Sequence, residues 1–171
     1  MQGEHIVRSN LKVSIGKKII NSLAAGITIA LVIIIVQSVN FGALYGFGSS
    51  AVIFASIGSS AFILFVMPKS RAANKTALVI SYSFAGIVGY FAYILSVYFG
   101  IALAAAIAIT AVSSLMVVSK QEHPPAVGLA LAFVLYRIDA WGILLVISLG
   151  VFIAVISYGL QILIKDTEKE I

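Results

Sequence analysis

The segment Lys120–Tyr136, KQEHPPAVGLALAFVLY, sets Lys120, Glu122 and His123 beside Pro124 and Pro125, directly ahead of an apolar run. A helix that opens at a proline presents unpaired N–H groups and about half a positive charge at its start, a combination that suits an anion. Lys120 would add to that potential. Glu122 would balance it or handle a proton, and His123 would touch an ion or hold a hydrogen bond. A second stretch, IGSSAFILFVMP from Ile57, offers Gly58, Ser59 and Ser60 as hydroxyl and N–H contacts at what reads as another helix start. The candidate substrate-binding set is therefore His123, Pro124, Pro125, Gly58, Ser59, Ser60, Lys120 and Glu122. Each also has a plainer reading. Lys120 and Glu122 can be solvated charges at a helix end, His123 an interfacial group, and Gly58 to Ser60 a small patch that lets helices pack closely.

Other chemistries find little to work with. There is no cysteine, and the only other histidine is His5 in the N-terminal tail, so no metal or other cofactor is expected. General acid–base catalysis needs paired groups within reach, and Lys120, Glu122 and His123 are the one cluster in a charge-poor interior. No enzymatic activity is expected.

The elements that must position these residues are membrane helices. The 171 residues are 61% hydrophobic and only 10% charged, where a soluble chain carries about 25% charged residues. The mean hydropathy is +1.14. No charge falls between Lys18 and Lys69, between Lys75 and Lys120, or between Asp139 and Lys165. At about 20 apolar residues per crossing, the first two runs hold two spans each and the third holds one. The fold class is all-α, a polytopic membrane protein with five full transmembrane helices plus one short or broken helix. The spans read as Ile19–Val39, about Gly48–Met67, Thr76–Val97, Ile101–Val118 and Trp141–Ile164, with a bend at Val97–Gly100. The strict polar alternation of a membrane strand is missing, which excludes a barrel. The net charge of +5 sits at the ends of apolar spans, so it speaks for membrane topology and against nucleic acid.

Residues 1–18 form a basic N-terminal segment, 19–164 a single transmembrane domain and 165–171 a tail. The apolar run after Lys18 is longer than a cleaved signal would carry, so it reads as a retained first span. Arg8, Lys12, Lys17 and Lys18 precede that span, and Lys69, Arg71 and Lys75 lie in the loop PKSRAANK. The turns near Asn40 and Phe99 carry no base. The positive-inside rule then predicts a multi-pass protein of the plasma (inner) membrane with a cytoplasmic N-terminus. Arg137 and Asp139 are expected to pair or snorkel at the outer surface, with Tyr136 and Trp141 as interfacial anchors.

From Pro124 to Tyr136 a helix is only about 20 Å long, short of a hydrocarbon core of about 30 Å. Two layouts remain. If this segment crosses, the C-terminus is inside; if it re-enters, the tail is outside. Irregular backbone at membrane depth must be covered by protein or line a polar cavity. Three elements in each half would run in opposite senses, the 3+3 inverted repeat in which broken helices meet near the midplane.

With these motifs identified, the chain resembles the HPP family of small integral membrane proteins. His123, Pro124 and Pro125 match its name motif, and ASIGSSAFILFVMP, Ala55–Pro68, resembles its second signature. The likeness covers roughly residues 20 to 164 and implies membrane transport. Nitrite is its suggested cargo, since plastid and cyanobacterial relatives are associated with nitrite movement. The chain departs from the family at Ala126-Val127-Gly128, where small residues such as Ala-Gly-Ala are expected and Val127 would narrow the packing gap.

The expected function is transport of a small inorganic anion, nitrite as candidate, through a site at short-helix N-termini. The alternative is a membrane-embedded interaction or assembly subunit with no transport of its own. The expected partners are the lipid bilayer and the anion. A chain with so little area for enclosing a polar path also points to a homo-oligomer.

Overall fold

The computed structural model describes the backbone of residues 2–38 and 47–167, and side chains from Ile15 to Leu163 apart from Lys17 and residues 39–50. The turn near Asn40 lies outside these residues, as do the side chains of Arg8, Lys12, Lys17, Lys165 and Lys169. Among the described residues the six elements longer than one turn are all α-helices: α1 (Gln2–Ser38), α2 (Phe47–Val66), α3 (Lys75–Phe99), α4 (Ile101–Ser119), α5 (Pro125–Tyr136) and α6 (Ala140–Thr167). Among the described residues four helical stretches are long and apolar enough to cross a membrane: Lys18–Ser38, Lys75–Phe99, Ile101–Ser119 and Ala140–Leu163. In α2 the apolar stretch is shorter among the described residues, Ala51–Val66, and α5 is shorter still.

Local chemistry sets each boundary. Pro68 disfavours helix at the residue before it, and α2 ends at Val66. A single 3₁₀ turn, Arg71–Ala73, follows, with the Ala72 N–H donating to the Ser70 hydroxyl at 3.2 Å. Asn74 caps α3 by accepting from the N–H groups of Thr76 and Ala77. Gly100, at φ 84°, is the whole bend between α3 and α4, at the place expected from VYFG. α4 and α5 both stop at a basic residue in the left-handed conformation, Lys120 (φ 56°) and Arg137 (φ 53°). In each case the following N–H, of Gln121 or Ile138, reaches back to the Met116 or Phe133 carbonyl. Asp139 caps α6, its Oδ1 accepting from the Trp141 N–H at 3.0 Å.

The peripheral helices bury one stripe each. In α1 that stripe is Ala24, Thr28, Val32 and Val36; in α4 it is Ala104, Ala108, Val112 and Met116. Both follow an i, i+4 spacing, which leaves the other faces apolar and exposed, as a lipid-facing helix requires. The short α5 behaves differently. It packs against α2, α3 and α4. Ala126, Leu129, Ala130, Ala132, Phe133 and Val134 are all buried. Gly89 of α3 permits this approach, because a Cβ there would stand 2.9 Å from Phe133 Cβ and 3.0 Å from the Ala130 backbone.

The chain's two ends of travel follow from the contacts. Gln161 near the end of α6 donates to the Leu64 carbonyl at 3.0 Å, and Lys75 Nζ donates to Gln161 Oε1 at 2.8 Å. The end of α6 therefore lies beside the 67–74 loop, as in the layout in which the short segment carries the chain away from that loop. α5 nevertheless falls short of the opposite end. Arg137 follows Phe133 by about one turn, whereas α3 runs about three turns past Gly89 to reach Gly100.

Candidate functional site

The segment between α4 and α5 is short and irregular, and its polar groups are matched one by one. Lys120 turns the chain, Ser81 of α3 donates to the Gln121 carbonyl at 2.6 Å, and His123 then drops into the protein with none of its surface exposed. Its Nδ1 lies 2.7 Å from the Ala72 carbonyl oxygen, and its Nε2 lies 2.8 Å from Ser60 Oγ. A carbonyl only accepts, so Nδ1 carries the proton, and in the neutral ring Nε2 accepts from the Ser60 hydroxyl. Tyr82, fully buried on α3, completes the chain at 2.8 Å from Ser60 Oγ, its ring tilted 60° to the imidazole. In the neutral state donors run one way, from Tyr82 to Ser60 to His123 to Ala72. His123 belongs to the connection between spans, where burial pushes its pKa below the ordinary 6.5 and the Ala72 hydrogen bond pulls upward.

The eight candidate residues do not share one site. Ser60 and His123 meet directly. Lys120 and Glu122 are exposed and line an open cleft of about 680 Å³ at the end of the molecule that holds the 67–74 loop, together with Ser70, Arg71 and Asn74. Ser59 points elsewhere: its hydroxyl donates to the Ala55 carbonyl at 2.9 Å, and it lines a shallower groove of about 440 Å³ with Ser56, Pro125 and Gly128. Gly58 is half-buried, and a Cβ added there would meet nothing within 4 Å. Pro124 is exposed as the N-cap residue of α5.

Two features of the expected anion site are revised. First, α2 is continuous from Phe47 to Val66, so Gly58 to Ser60 lie in its C-terminal half and open no helix. One helix start, not two, adjoins His123. Second, that start has few free donors. Pro124 and Pro125 have no N–H, and those of Ala126 and Val127 donate to the His123 and Pro124 carbonyls at 3.0 Å each. Positive potential there comes from side chains, Arg71 and Lys120, more than from backbone N–H groups. The position of closest packing also differs from the expectation at Val127. That side chain is half-buried, whereas a Cβ on Gly128 would stand 2.7 Å from Ser56 Oγ on α2.

Sequence reading missed Tyr82, Arg71 and Ala72. The signal for Tyr82 was present: Ser81-Tyr82-Ser83 is a polar triplet inside an apolar helix. Buried hydroxyls need partners, so such residues mark places where a helix meets other polar groups, as Ser81 meets the Gln121 carbonyl and Tyr82 meets Ser60. Ala72 offers only a backbone carbonyl, which no residue type announces.

A comparison with known families matches residues 11–167 to the family described as HPP, transmembrane region. No curated protein and no solved structure matches the chain.

Proposed function

Since the chain belongs to the HPP transmembrane family, we propose that it moves a small inorganic anion across the plasma membrane, with nitrite as the candidate. The observation that carries this reading is the cleft beside His123. Arg71 and Lys120 face it with Glu122 as the single acidic counterweight, and its wall is the turn whose Ala72 carbonyl holds the imidazole. A net positive mouth concentrates anions. The buried chain of His123, Ser60 and Tyr82 behind it is uncharged when the ring is neutral, which spares the protein the cost of a buried fixed charge. The basic loop would face the cytoplasm with the N-terminus, α2 would be the fifth full span, and two or more copies would enclose the path. No enzymatic activity is proposed. Purified protein in liposomes should take up nitrite faster than empty liposomes, and His123→Ala should cut that uptake severalfold with the protein still assembled. Uptake equal to empty liposomes for nitrite, nitrate and formate alike would remove the reading.

One observation favours a second reading, an assembly subunit of a larger membrane complex. The hydrogen bonds of His123, Ser60 and Tyr82 close on one another and on backbone carbonyls, as they would in a device that only locks α2, α3 and the α4–α5 connection together. A stoichiometric partner in mild detergent, with no transport by the pure protein, would favour it.

A further inference from the structure

The hydrogen bonds around His123 can accommodate two protonation states. With Nε2 unprotonated, Ser60 donates to it. Were Nε2 to carry a proton, it would donate to Ser60 Oγ, and the Ser60 hydroxyl would have to turn away. Its second acceptor is already in place, because the Ser56 carbonyl lies 2.9 Å from Ser60 Oγ. Ser60 Oγ can still accept from Tyr82 on its other lone pair. One hydroxyl rotation therefore converts the neutral arrangement into a fully paired imidazolium, and no heavy atom needs to move.

The surroundings of the ring decide when that happens. His123 is flanked on its own segment by Lys120 and Glu122. The 3₁₀ turn brings Arg71, and α3 brings Tyr82 and, at its start, Lys75, whose ammonium is engaged with Gln161 and the Tyr158 ring. α2 contributes the neutral Ser60, and α5 contributes no ionisable group before Tyr136. Burial opposes a positive charge on the ring, and the cleft beside it carries Arg71 and Lys120 against the single carboxylate of Glu122. An anion in the cleft lowers that positive charge and so favours the protonated ring.

We propose that His123 is a proton-binding site coupled to anion occupancy of the Arg71–Lys120 cleft, so that anion and proton travel together. This rests on the transport reading above. Coupling of two binding events is reciprocal: whatever factor the anion adds to proton affinity, the proton adds to anion affinity. The proton is taken from solvent onto Nε2 and released from it, no other bond is made or broken, and a monovalent anion then crosses without net charge. The cargo class is the anion of a weak acid moving with its proton, which makes transport respond to the pH gradient and not to membrane potential.

The test uses the full chain with His5→Gln, which leaves one histidine to follow by ¹⁵N NMR in micelles. The ring is titrated with and without sodium nitrite, and nitrite binding is measured across the same pH range. The expected result is a midpoint raised by about one pH unit in saturating nitrite, with nitrite bound about tenfold tighter below the titration than above it. Nitrite that binds with no change in the midpoint would overturn the coupling and leave the transport reading standing. If nitrite, nitrate and formate all fail to bind, both are overturned. A midpoint raised by phosphatidylglycerol but by no small anion would also overturn the proposal, since the cleft would then hold a lipid headgroup.

Discussion

α4 and α5 are adjacent in the chain and nearly equal in apolar character, yet the structure uses them in opposite ways. α4 is 19 residues long, enough to cross, and buries only Ala104, Ala108, Val112 and Met116. α5 is 12 residues long, too short to cross, and buries six of them. Lipid is as apolar as leucine, so hydropathy does not distinguish a helix that faces the bilayer from one enclosed by protein. What separates them is how their ends are satisfied. A helix that stops inside the bilayer must have its terminal backbone groups covered by protein. α5 has this at its end, where Ile138 is fully buried and its N–H donates back to the Phe133 carbonyl, while its start lies beside the 67–74 loop, where the His123 ring is bonded to the Ala72 carbonyl. The short helix is the centre of the packing because it cannot be anything else.

The strongest way to break this comparison is to truncate equivalent apolar residues on the two helices. Phe133→Ala should destabilise the protein by about 3 to 5 kcal/mol, since Phe133 is fully buried and lies against Gly89. Leu103→Ala on the exposed face of α4 should cost about 0.5 kcal/mol or less. Thermal unfolding in one detergent, with both variants beside wild type, measures the difference. Equal losses would mean that α5 is not the packed centre of the molecule.

A smaller effect concerns the cover over the start of α5. His123→Ala leaves the Ala72 carbonyl without its partner and a void beside Ser60, whose hydroxyl can turn to the Ser56 carbonyl, and should cost about 1 to 3 kcal/mol. Acid should act on the same residue, through the cost of burying a charged ring. Because the folded protein holds His123 below its ordinary pKa of 6.5, the unfolded chain binds the proton more readily. The stability that His123 contributes is thus fully present above about pH 6.5 and is lost as pH falls from there toward the folded value. Unfolding midpoints between pH 8 and pH 5 should show that decline in wild type and a shallower one in His123→Gln. Parallel curves would show that the ring is not held neutral by its surroundings.

Much of the architecture was legible in the residues, and the site much less so. The spans from Thr76, Ile101 and Trp141 match α3, α4 and α6 within a few residues, because charge-free length and the Gly100 bend are local properties. The short helix after Pro124 is likewise local. The partnership of Ser60 with His123 was half legible: residue type marks both as candidates, but the pattern around them suggests two facing helix starts. A serine inside a continuous helix makes the contact instead, through a side chain whose reach spacing does not encode. The N–H groups expected at Pro124 were lost for a readable reason. Two consecutive prolines remove two donors, and the next two N–H groups turn back onto the chain. Tyr82 and the Ala72 carbonyl belong to the tertiary fold, and only the polar triplet around Tyr82 hinted at it.

The smallest expected effect separates local backbone from function at the ends of the same two helices. Lys120 closes α4 and Arg137 closes α5, both in the left-handed region that favours glycine. Relief of that strain by Lys120→Gly or Arg137→Gly is worth up to about 1 kcal/mol, reduced by the freedom glycine adds to the unfolded chain. Both variants should therefore unfold at or slightly above the wild-type temperature. Their transport should differ. Lys120 lines the cleft, whereas Arg137 stands at the other end of α5, so only Lys120→Gly should lower nitrite uptake, by severalfold. Lys120→Asn removes the charge while keeping a residue that tolerates the left-handed conformation, and it should lose the same uptake as Lys120→Gly. Were Lys120→Asn to transport like wild type, Lys120 would be a helix terminus and nothing more, and the positive mouth would rest on Arg71 alone.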